Sequence, residues 1–101
     1  MEKQKTLEVI ETYWDEWYVA GISDFVRIPN LTPMVDAEYK TNGLLEKAID
    51  CVDAYVQKLE IVGLERRIFK PEGCVPLIVY VVAPSEGASA RNIMLYGHLD
   101  K

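Results

Sequence analysis

The 101-residue sequence has one histidine, two cysteines and no apolar run near the ~20 residues needed to span a bilayer. Each scarcity excludes something. A single histidine cannot build a metal centre alone, because zinc sites draw on three or four protein ligands. Two cysteines are too few for a disulfide framework. They also sit in unlike contexts, Cys51 in a helical pattern and Cys74 in a Gly-containing turn, so reduced thiols and a cytoplasmic location are expected. The start, Met1-Glu2-Lys3-Gln4-Lys5, leads into mixed charge and not into a signal-peptide apolar core. Basic residues are outnumbered 11 to 16 and form no stripe, which argues against a nucleic-acid partner. No membrane partner is expected either.

What is present is half hydrophobic, an ordinary composition for a globular chain. Residues 3–27 read as helix, with Leu7, Ile10, Trp14, Trp17 and Tyr18 on one face, a bend at Gly21, and a stop at Pro29. The aromatic residues at this spacing are expected to be core. Residues 29–35 form a loop, in which Asn30 and Thr32 are expected to make local turn contacts. A second helix should begin between Asp36 and Asn42 and run to about Glu60. Its apolar stripe includes Leu45, Ala48, Ile49, Val52 and Val56; Glu46, Lys47, Asp50, Asp53 and Lys58 fall on its wet side, and Gly63 ends it. The texture then changes to short strands. Leu64 to Lys70 reads as an edge strand with Arg66 and Arg67 solvated. Pro76 to Ala83 is continuously apolar and reads as a strand buried on both faces, and Asn92 to Tyr96 as a third strand after a loop over 84–90. The expected fold class is α/β: two N-terminal helices followed by three strands, the opening part of a layered domain and incomplete as it stands.

The chemistry gathers in Asn92-Ile93-Met94-Leu95-Tyr96-Gly97-His98-Leu99-Asp100-Lys101. In an extended segment residues two apart point the same way, so Asp100 can accept a ring N–H of His98. That contact would fix the tautomer and free the other nitrogen for a metal. The plainer alternative makes Asp100 a helix cap and His98 a partly buried polar residue.

Three segments resemble a family of zinc-dependent metallopeptidases, the carnosinase, aminoacylase and succinyl-diaminopimelate desuccinylase-like dipeptidases and carboxypeptidases. They are Phe25-Val26-Arg27-Ile28-Pro29-Asn30-Leu31-Thr32-Pro33, the helix at 44–60 with the strands after it, and Met94-Leu95-Tyr96-Gly97-His98-Leu99-Asp100-Lys101. The resemblance implies that residues 1–101 are the N-terminal portion of the catalytic domain, without the lid or dimerisation domain. It implies that His98 is the first metal ligand and that Asp100 orients it from behind. It also implies two zinc ions in the intact family, a peptide-like small-molecule substrate, amide hydrolysis with a glutamate as general base, and homodimerisation as an option for the intact protein. The bridging aspartate, the paired glutamates and the later ligands have no counterpart in this sequence. A fragment that neither retains zinc nor hydrolyses amides alone is therefore expected. The competing readings are a small stand-alone α/β interaction module, or a decoy that pairs with a full-length relative, neither with catalysis.

Overall fold

The structure, a computed structural model, describes residues 2–88 and 91–101. The chain opens with one long helical run. Helix α1 (Lys3–Tyr13) passes into a π-helical turn at Trp14–Tyr18 and continues as α2 (Val19–Arg27). Pro29 ends the run, and Ile28 before it is extended, as the steric demand of a following proline requires. The apolar stripe of residues 44–58 forms helix α3 (Leu44–Lys58), which starts just after the expected window of Asp36 to Asn42. Asn42 accounts for that start, since its Oδ1 accepts the Leu44 N–H (3.0 Å) while its Nδ2 donates to Asp36 (2.7 Å). The helix ends at Lys58, short of Gly63. Gly63 instead takes a left-handed conformation (φ 77°) leading into strand β1 (Leu64–Phe69). Strand β1 pairs antiparallel with β2 (Leu77–Val82), in a register running from Leu64 opposite Val82 to Phe69 opposite Leu77.

The sheet has two strands among the described residues, not three. The segment expected as a third strand, Asn92–Tyr96, lies unpaired. Ile93, Met94, Leu95 and Tyr96 are 80–92% exposed. A strand exists only through its ladder, and this segment pairs with neither open edge of the two-stranded sheet. Strand β2 is likewise not buried on both faces: Leu77, Val81 and Val82 are exposed, because no layer covers the far side of the hairpin. The loop expected over 84–90 is described through Ala88, and its last two positions lie outside the described residues.

The core is small. Ile28, Leu45, Ala48 and Ile49 are its buried apolar side chains. Trp14 and Tyr18, expected inside, stack on each other at 4.9 Å but stay about half exposed, since no element among the described residues covers that side of the helix. Helices α2 and α3 meet at Gly21, where an added Cβ would fall 2.7 Å from the Tyr55 ring. The ring cannot swing away freely, because its hydroxyl donates to Asp24 Oδ2 (3.0 Å). Gly21→Val is therefore expected to destabilise the chain by about 2 kcal/mol in urea unfolding, despite the better helix propensity of valine.

Asp53 departs from its expected place on the wet side of α3. It is buried, and it ties the helix to both strands. Tyr80 Oη donates to its Oδ1 (2.8 Å), Gln57 Nε2 donates to the same oxygen (3.3 Å), and Arg66 Nη1 pairs with Oδ2. Arg66 is thus a tie between helix and hairpin and not merely a solvated edge. Burial raises the Asp53 pKa, but the hydrogen bonds from Tyr80, Gln57 and Arg66 with the arginine charge outweigh it, and the net shift is downward. A carboxyl whose folded pKa lies below its unfolded value stabilises the fold above the unfolded value, and that share disappears as pH falls through the folded one. Stability should therefore decline below the ordinary carboxyl value of 3.8. Asp53→Asn should flatten that acid limb when unfolding is followed against pH.

Candidate functional site

The segment from Tyr96 to Asp100 forms no helix or strand, and the side chains of its alternate residues meet. His98 Nδ1 lies 3.2 Å from Asp100 Oδ1, and His98 Nε2 lies 3.2 Å from the Tyr96 hydroxyl, with the two rings edge to face at 5.2 Å. The hydrogen-bond roles select one tautomer. An ionised carboxylate only accepts, so Nδ1 carries the proton, and Nε2 presents its lone pair to the Tyr96 O–H. The His98 side chain is 70% exposed and that of Asp100 is 29% exposed. Hydrogen bonds from His98 and then from Thr32 hold the Asp100 carboxyl below its ordinary value, against a smaller opposing effect of burial, so it is ionised at neutral pH.

A second set of contacts reaches the same segment from the far side of the sequence. Asn30, fully buried, donates from Nδ2 to the Leu99 carbonyl (2.7 Å) and accepts at Oδ1 from Lys101 Nζ. Lys101 Nζ also donates to the carbonyls of Phe25 (2.8 Å) and Ile28 (2.6 Å) and sits 4.1 Å from the centroid of the Phe25 ring. Those carbonyls lie at the C-terminal end of α2, where a cation satisfies unpaired oxygens and meets the negative end of the helix dipole. An ammonium has three protons, and here each has an acceptor. Loss of water lowers the Lys101 pKa, while the three acceptors favour its charged form. The Thr32 N–H donates to the Lys101 carbonyl oxygen (2.6 Å). Asn30 and Thr32 therefore make contacts about seventy residues away in sequence, beyond the local turn bonds expected of them. Asn30, Thr32, Tyr96 and Lys101 are site residues that sequence reasoning passed over. The one available signal was that Ile28-Pro29-Asn30 and the terminal motif both stand out in the same chain.

His98 also stands at the mouth of an apolar groove of about 670 Å³ between α2 and α3, lined among others by Trp17, Ile22, Phe25, Tyr55 and Leu99. Among the described residues no group of three or more histidine, cysteine, aspartate or glutamate side chains gathers to hold a metal ion. The donor set fits a zinc site in part. One imidazole nitrogen is available, with the carboxylate behind it that orients such ligands. The remaining ligands would have to come from elsewhere. No helix among the described residues is long and apolar enough to cross a membrane. No family model matches the sequence, and no curated protein is significantly similar to it.

Proposed function

We propose that this chain supplies the first histidine ligand, His98, and its orienting carboxylate, Asp100, to a zinc-dependent hydrolase of amide bonds in dipeptides or N-acyl amino acids. The observation that carries the reading is the His98–Asp100 contact, which protonates Nδ1 and leaves the Nε2 lone pair as a donor. The meeting of the Ile28-Pro29-Asn30 stretch with the terminal motif adds support, because two of the three segments that carry the family resemblance are neighbours in space.

When bound, zinc polarises a scissile carbonyl and lowers the pKa of its water. This chain's part is narrower. Nε2 of His98 would hold the metal. Asp100 holds the ring in the right tautomer and stabilises the positive charge that coordination places on it. Tyr96, whose hydroxyl occupies the Nε2 side, has to turn aside on loading. The general base and the other ligands lie outside this chain, and its two free cysteines, Cys51 and Cys74, suit a reducing compartment such as the cytoplasm.

The test is the protein captured from its native source with an antibody to the helix at 44–58. Intact mass, zinc content and dipeptide hydrolysis are measured on the same sample. A zinc-bearing species whose hydrolysis disappears with His98→Ala supports the reading, and a species without zinc or hydrolysis overturns it. The apolar groove between α2 and α3 favours the second reading, a non-catalytic module or decoy whose groove takes a protein segment. Co-capture of a larger relative by a chain of 11.5 kDa would select that reading.

A further inference from the structure

Behind the His98–Asp100 pair lies a clasp of polar groups that is more fully bonded than the pair itself. Leu99 and Lys101, the two neighbours of Asp100, are both held by Asn30, one through its backbone carbonyl and the other through its side-chain ammonium. Thr32 closes the other side by donating its N–H to the Lys101 carbonyl oxygen and a hydrogen bond to the Asp100 carboxylate. Asn30 itself is fully buried, yet neither polar atom of its side chain is left unpaired. An amide that is both donor and acceptor suits this place. Aspartate could accept from Lys101 but could not donate to Leu99. By contrast, residues 92–96, which deliver the chain to His98, have no ladder and lie open to water. The position of Asp100 is therefore fixed from the Asn30 side, not from the strand-like approach.

We propose that Asn30, acting with Lys101, is a positioning residue for the metal-ligand histidine: it anchors the chain on both sides of Asp100, through the Leu99 carbonyl and the Lys101 ammonium, so that the carboxylate stays aimed at His98 Nδ1 and Nε2 stays unprotonated. The proposal deepens the zinc-hydrolase reading and rests on it for its functional meaning, but the positioning itself is measurable without any metal. A merely structural role for Asn30 would change stability and leave the histidine tautomer alone. A positioning role moves the tautomer.

Because His98 is the only histidine in the sequence, long-range proton–nitrogen NMR reads its tautomer without ambiguity. The wild-type chain is expected to show mainly the Nδ1–H form. In Asn30→Ala and in Lys101→Met, the ratio of Nδ1–H to Nε2–H should fall about tenfold, the size of one lost hydrogen bond to a charged group. Amide resonances of α3 and the hairpin should stay in place. Asn30→Asp should behave like the alanine variant, since it keeps the lysine partner and loses the bond to Leu99.

A ratio equal to wild type in folded Asn30→Ala and Lys101→Met overturns the proposal. If Asn30→Ala alone loses its helical circular dichroism, Lys101→Met decides by the same criterion, because methionine keeps an apolar stem against Phe25. If both unfold, the clasp is part of the fold and not a positioning device, and the proposal falls. Zinc chloride added to the wild-type chain tests the parent reading separately. An Nε2 resonance that ignores zinc, in a chain whose tautomer still depends on Asn30, overturns the metal reading and upholds the positioning.

Discussion

Asp53→Ala is expected to destabilise the chain by about 2 kcal/mol, a large loss for a residue outside the apolar core. The change removes the common acceptor of Tyr80, Gln57 and Arg66 and leaves a half-buried tyrosine hydroxyl and a guanidinium without their partner. Arg66 is partly exposed and can turn to water, which keeps the loss below the 3–5 kcal/mol typical of breaking a fully buried pair. Asp53→Asn keeps the shape but gives up the charge and turns the oxygen that accepts from Arg66 into a donor, while the other oxygen still accepts from Tyr80 and Gln57, so about half of the effect is expected. Urea unfolding followed by circular dichroism measures both. A shift in midpoint without a change in slope is the expected form, because the folded surface is the same.

The margin against which this loss counts is thin. The radius of gyration is 16.3 Å, where a compact chain of this length has about 13 Å. The accessible surface is 8516 Å², against roughly 5,800 Å² for a compact monomer of this mass. Much of the excess is apolar and sits on the α1–α2 face, on β2 and on residues 93–96. With so little apolar surface buried, a polar tie such as Asp53 carries an unusually large share of what joins the helices to the hairpin.

The second large effect concerns activity: the purified chain should hydrolyse no dipeptide and should lose added zinc on dialysis. Structural zinc sites gain about 10–16 kcal/mol from a full set of ligands. One imidazole provides a small part of that, even when its tautomer is fixed in advance. Dipeptide hydrolysis by a monodisperse sample, abolished by a chelator, would contradict this expectation. His98→Ala and Asp100→Asn are expected to change nothing in that assay, because neither removes a complete site.

Much of the helical part of the fold could be read in advance. The 3.6-residue stripe of 44–58, the stop imposed by Pro29 and the turn residues between the two strands are local signals, and the elements follow them. The misplaced features all depend on what lies across from them. Residues 92–96 look like a strand because they are apolar, but a strand also has to dock on a neighbouring edge, which composition does not report, and this segment docks on neither edge of the hairpin. Asp53 looks solvated on a helical wheel, yet a tyrosine and an arginine from two strands converge on it. At the site, the adjacency of His98 and Asp100 follows from their spacing in an extended chain. The Asn30–Lys101 clasp joins residues 71 apart and leaves no periodic trace in the sequence.

The most direct test of the central claim, that Asp100 prepares His98 Nε2 to be a ligand, is the nitrogen chemical shifts of that histidine in the wild-type chain and in Asp100→Asn. The expected result is a protonated Nδ1 and a bare Nε2 in the wild type, with the preference lost in the variant. A wild-type histidine protonated on Nε2, or one whose tautomer ignores Asp100, would contradict the claim and leave His98 an ordinary surface residue.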